Sequence, residues 1–202
     1  MKYRNISVPF VGNRDIQKQA DLFRNKTWGN AVPVKIEEII EIKLKIKVIP
    51  IPSLLKLCSV DSQITSDFSS ILVDNDCYIN SETGRISFSL AHELGHSVLH
   101  KNLFESFKIT SLEDVILFVR NVPERQYFYL ESQANKFASY FLIPRDKLSG
   151  IRKNIVAKHK LEKIEAKTAN SYIANDIARL FQVSYQAAEN ALNDLNNDFR
   201  SN

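Results

Sequence analysis

Two cysteines, five glycines and a single tryptophan stand in a chain of 202 residues, and what is scarce here narrows the field early. Cys58 and Cys77 have no C-x-x-C partner, so no disulfide is expected, and both fit a reducing compartment in which cysteine serves as a small apolar residue. The glycines and prolines are not gathered into a low-complexity tract, and no internal repeat occurs. Nowhere do about eighteen apolar residues run together, and the stretch up to Asn30 holds no apolar core of signal-peptide length. Export and membrane spanning are therefore not expected, and a cytoplasmic location is. A dense basic composition is also missing: the formal net charge of +4 could favour an acidic partner but is far short of a dedicated nucleic-acid binder. What remains, 44% hydrophobic and 25% charged residues, is the ordinary balance of a globular chain with a real core.

Hydrophobic periodicity orders the chain. Ile16, Ala20 and Phe23 lie at helical spacing in Asp15 to Arg24, and Val34 to Glu41, opening after Pro33, reads as a second helix. Ile42, Leu44, Ile46 and Val48 then alternate with lysines, the pattern of a half-buried strand that Pro50 and Pro52 would end. Apolar runs at Ser70 to Val73 and Cys77 to Ile79 flank Asp74-Asn75-Asp76, which predicts a hairpin. Beyond Gly84 the pattern is helical to the end. The expected class is α+β, with a small sheet, antiparallel or mixed, packed against helices.

The densest chemistry lies in FSLAHELGHSVLH, residues 88–100, which holds three of the four histidines. Ser87 or Ser89 can cap a helix there, and Leu90, Ala91, Leu94, Val98 and Leu99 give it an apolar face. His92 and His96 at i and i+4 lie one turn apart, so both imidazoles can reach one ion at about 2.0–2.1 Å. Glu93 points about 100° away around the helix, which suits a general base beside a metal-bound water. An H-E-x-x-H string arises by chance in roughly one chain of this size in a few hundred, but the competing reading, a satisfied core histidine, would have to hold twice at one helical spacing.

A catalytic zinc usually takes three protein ligands and leaves a fourth position open. His100 sits about 6 Å further along the axis than His96, too far for the same ion, and is expected to be structural. In YLESQANKFASYFLIP, residues 129–144, Glu131 and Asn135 lie at i and i+4 beside the apolar face of another helix. There Glu131 can complete the coordination and Asn135 can accept from the second nitrogen of a liganding histidine. Spacing alone leaves Glu131 open between a ligand and a solvated helix carboxylate. Tyr140, Tyr127 and Tyr129 are near enough in sequence to supply an oxyanion donor, although aromatic residues on such a helix usually belong to the core.

PVKIEEI (33–39), FSLAHELGHSVLH (88–100) and ESQANKFASYFLIP (131–144), in this order, resemble the ImmA/IrrE family of zinc metallopeptidases, and the likeness extends from about Gln17 to Leu195. It implies a zincin-like core over residues 1–144 and a helical C-terminal region, 145–202, packed on it. It implies Zn2+ held by His92, His96 and Glu131, with Glu93 as catalytic base. It also implies a protein substrate, a helix-turn-helix transcriptional repressor encoded on a mobile element or controlling a stress response. Gln133 departs from the family pattern, where an acidic residue is common, and Phe141-Leu142-Ile143-Pro144 replaces the more usual Leu-Leu-Met-Pro.

Rival functions rest on the C-terminal region. Residues 145–170 carry many lysines, read as a solvated helix face. Residues 171–195 have a helix-turn-helix outline, with Ser184 as a cap. Yet Ser184 to Asn197 contains no lysine or arginine, and Glu189 and Asp194 would face a polyanion, so direct DNA binding is not expected. The alternatives to a peptidase are a regulator that binds a repressor or DNA without cutting, and a toxin-like effector of the same fold.

Overall fold

A computed structural model describes residues 3–80 and 83–200; the outermost positions of the two expected regions, 1–2 and 201–202, lie outside it. Helix α1 (Asn13–Thr27) buries Ile16 and Ala20, and its Phe23 ring lies 6.1 Å from Phe137 and 5.7 Å from Phe141. The next segment departs from the expected helix and strand. A helical turn widens into a π-helical stretch, Glu38–Lys43, that buries Ile39 and Ile40 and leaves Ile42 outside. The i+5 bond from Leu44 N to Ile39 O shifts the phase of the chain, so the Ile/Lys alternation is no strand until Lys47. Strand β1 (Lys47–Ile51) contains Pro50 rather than ending at it. Its place at the sheet edge tolerates the missing N–H.

Helix α2 (Leu54–Cys58) leads to β2 (Ser62–Ile64) and β3 (Ser70–Asp74). The sheet order is β1-β3-β2, parallel between β1 and β3 and antiparallel between β2 and β3. The expected hairpin at Asp74-Asn75-Asp76 is absent, because Asp74 acts as a cap instead. Its Oδ1 accepts from the amides of Asp76 and Cys77, opening α3 (Asn75–Asn80), and its Oδ2 accepts from Leu55 N in α2. Cys58 and Cys77 are free and buried.

Helix α4 (Thr83–Leu99) starts before Ser87 and Ser89, which therefore lie within it rather than capping it; Ser89 Oγ donates back to Arg85 O. Helices α5 (Lys101–Phe107) and α6 (Leu112–Asn121) lead to α7 (Glu124–Leu142). Gly95 lets α4 and α7 cross closely: a Cβ there would lie 3.2 Å from the Ala134 backbone and Phe137 Cβ. That is the close approach a glycine inside a helix suggests.

Helices α8 (Arg145–Lys158), α9 (Ala166–Phe181) and α10 (Tyr185–Arg200) complete the chain. Their Leu148, Ile177, Phe181 and Leu192 belong to the same continuous core as α4 and α7. Ser184 Oγ accepts from Ala187 N at the start of α10. The turn before it rests on Gly84, where a Cβ would come within 2.5 Å of Val183 C. The fold is α+β, and among the described residues no helix is long and apolar enough to cross a membrane.

Candidate metal centre and catalytic cleft

The α4–α7 crossing brings His92, His96 and Glu131 together, with one potential ligand atom from each lying within 4.8 Å of the others. The two Nε2 atoms are 2.9 Å apart. Glu131 Oε2 is 3.2 Å from His92 Nε2, and Oε1 is 3.6 Å from His96 Nε2.

The outer contacts fix which atoms carry protons. Asn135 Oδ1, 2.9 Å from His92 Nδ1, can only accept, so the proton sits on Nδ1. A longer chain does the same for His96. Gln133 Nε2 donates to Pro9 O (3.0 Å), which turns Gln133 Oε1 toward His100 Nε2 (3.1 Å). His100 must then be protonated on Nε2, leaving its Nδ1 to accept from His96 Nδ1 at 3.1 Å. Burial, and then the neighbouring imidazoles, hold His96 well below the usual histidine range; burial likewise lowers His100. Both Nε2 lone pairs thus converge on a carboxylate, three electron-rich groups that need a positive charge between them. Without a metal, a proton is drawn in: burial opposes the charge on His92, but Glu131 outweighs it and pushes that imidazole up to about 9. Two imidazoles and a carboxylate, each imidazole backed by an acceptor, are the donor set of a catalytic zinc. The residues present therefore fit the ion.

His100, expected to be structural, is buried and stands behind His96. Glu93 is turned toward the sheet, where Oε1 accepts from Ser62 Oγ (2.8 Å) and Oε2 from Ile64 N (2.7 Å). Burial raises its pKa above the usual carboxylate range, with the His92 charge and the Ser62 bond working the other way. Sequence reasoning missed Ser62 and Ile64, since β2 is short and no periodicity singles out either residue.

A cleft of about 320 Å³ opens over this cluster, lined by Ser62, His92, Glu93, His96, Tyr127 and Glu131 among others. Of the three tyrosines considered, Tyr127 alone lines it. Tyr129 accepts from Arg125 Nε on the outer side of α7, and Tyr140 is buried with the Arg145 guanidinium 5.0 Å from its ring centre. Neither lines the cleft: Tyr129 is turned about 200° from Tyr127, and Tyr140, nine residues past Glu131, lies more than two turns along α7 and on its opposite face. Tyr127 precedes Glu131 by four residues, a spacing that could have separated the three.

A sequence profile of the IrrE N-terminal-like domain, a peptidase family, matches residues 65–193. No curated protein sequence matches the chain significantly. Among solved structures, a Mycobacterium tuberculosis transcriptional regulator aligns over 87% of this chain and 45% of its own length, at 15% identity and a TM-score of 0.48. The chain thus spans less than half of that regulator. The profile covers well over half of the sequence and includes α4 and α7: the chain belongs to the ImmA/IrrE family of metallopeptidases.

Proposed function

We propose that the protein is a zinc-dependent endopeptidase that cuts a specific helix-turn-helix repressor and so relieves repression. The observation that carries this reading is the convergence of His92, His96 and Glu131 with Glu93 on the same cleft. In it, His92 Nε2, His96 Nε2 and a Glu131 oxygen are the zinc ligands, and Asn135 orients His92. Bound zinc lowers the pKa of water to about 7 and polarises the scissile carbonyl. Glu93 takes the water proton on a carboxylate oxygen and passes it to the leaving amine. Each Glu93 oxygen accepts one bond from β2, so each keeps a second lone pair for that proton while Ser62 and Ile64 hold the carboxylate in place. Tyr127, whose hydroxyl is kept protonated by burial first and then by the Glu131 and Glu93 charges, is the donor available to an oxyanion.

The same proposal divides the chain after Pro144 into a peptidase core and a C-terminal helical region docked on it. The absence of cations from Ser184 to Asn197 supports a role for α10 in packing and partner contact rather than DNA reading. A cytoplasmic site of action fits the two free cysteines.

The test is incubation of the zinc-loaded protein with the repressor encoded beside its gene, with products identified by mass spectrometry. The proposal predicts one cut in the repressor, lost in Glu93→Gln. Stable binding without any cut by the wild type would favour a non-cleaving regulator and overturn the proposal.

A further inference from the structure

The catalytic cleft does not end at the metal ligands. Past Asp61, Phe88, Ser89 and Asn135 it continues into a groove of about 940 Å³ between α4, α7 and α10. That size is at the upper end for ligand clefts, which run about 300–1,000 Å³. Helix α10 supplies the far wall through Gln186, Ala187 and Asn190. The wall is fixed at both ends. The turn before α10 rests on Gly84, and Asp194 pairs with Lys136 of α7 and lies 3.8 Å from the Arg145 guanidinium.

The charges lining this groove are satisfied within it. Arg85 grips Asp61 through Nε and Nη2 at 2.9–3.0 Å, and Lys136 holds Asp194. The rest of the lining is neutral: Phe88, Ala187, serines, and the amides of Gln186 and Asn190. A charged side chain entering here would lose water and find no free counterion, whereas serine, amide and apolar side chains would not pay that penalty. A helical occupant would keep its amides bonded internally. A segment running from a scissile bond is extended, and its backbone groups are free to meet the amides of α10.

We propose that this groove receives an uncharged, extended stretch of the protein substrate adjoining the scissile bond, which makes α10 a specificity element of the peptidase. The inference rests on the peptidase reading for its substrate, but its test does not depend on cleavage. Short fluorescein-labelled peptides of one Ser/Asn/Leu-rich sequence are prepared in neutral, dilysine and diglutamate forms. Each is titrated by anisotropy against full-length, zinc-loaded Glu93→Gln protein, with and without Gln186→Lys. Gln186 is exposed and its amide donates to Asn190 Oδ1 (3.0 Å), an acceptor that a lysine ammonium can also use, so the lysine is accommodated.

The neutral peptide should bind about tenfold more tightly than either charged form, and Gln186→Lys should raise the relative affinity of the diglutamate peptide by about fivefold or more. Equal binding of the three forms, no binding of any, or a ranking that Gln186→Lys leaves unchanged would overturn the proposal. Failure of the wild type to cut its repressor, with these binding results intact, would overturn the peptidase reading alone.

Discussion

On the helical wall of the cleft, the Nε2 atoms of His92 and His96 and the carboxylate of Glu131 face one another, and their outer contacts point away from the centre. On the strand wall, both oxygens of Glu93 already accept from β2. The first arrangement gathers lone pairs that only a cation satisfies. The second holds a carboxylate in place through one bond to each oxygen and leaves a lone pair on each to receive a proton. Metal affinity should therefore depend on the helices and proton transfer on the strand, and substitutions should separate the two.

The largest separation is expected at Glu93. Glu93→Gln should keep zinc with unchanged affinity, measured by chelator competition, while cleavage falls by about 10²–10⁴-fold. Joint loss of metal and activity would break the comparison. Next come the outer partners on the helical side. Asn135→Ala, which frees His92 Nδ1, and Gln133→Leu, which breaks the chain from Pro9 to His96, should each weaken zinc binding by about 10–100-fold. On the strand side, Ser62→Ala removes a hydrogen bond to a buried carboxylate. At pH 8 this should cost about 1.5–3 kcal/mol in urea unfolding, with zinc affinity unaltered.

The comparison is sharpened further by pH. His92 is raised from 6.5 to about 9 in the metal-free site, so its contribution is full below pH 6.5 and is lost as pH rises toward 9. His96 and His100 are lowered, so theirs is present above the usual histidine range and is lost as pH falls. The melting temperature of the chelator-treated protein should decline on both sides of neutrality. Bound zinc should remove the alkaline decline, because it replaces the proton on His92; an alkaline limb indifferent to zinc would contradict this.

The helical wall was the legible part of the sequence. His92 and His96 at i and i+4, Glu131 and Asn135 at the same spacing, and Gly95 at a helix crossing all follow from a period that burial enforces on one face. The strand wall was not legible. The π-helical stretch at Glu38–Lys43 moved the lysine-alternating run out of phase, and Asp74-Asn75-Asp76 closes β3 with a helix cap in which the same residue types could have made a turn. The Ser62–Glu93 bond joins residues 31 apart, and no local pattern records it. Sequence periodicity finds what one element presents, whereas the partner brought from a short strand appears only once the chain is folded.

The most direct measurement is zinc K-edge absorption on the loaded protein, alongside metal content for the wild type and Glu131→Ala. The account predicts one zinc per chain, with two imidazoles and a carboxylate oxygen in its shell, and loss of the metal in the variant. A chain that takes up no zinc, or a shell that persists without Glu131, would contradict it.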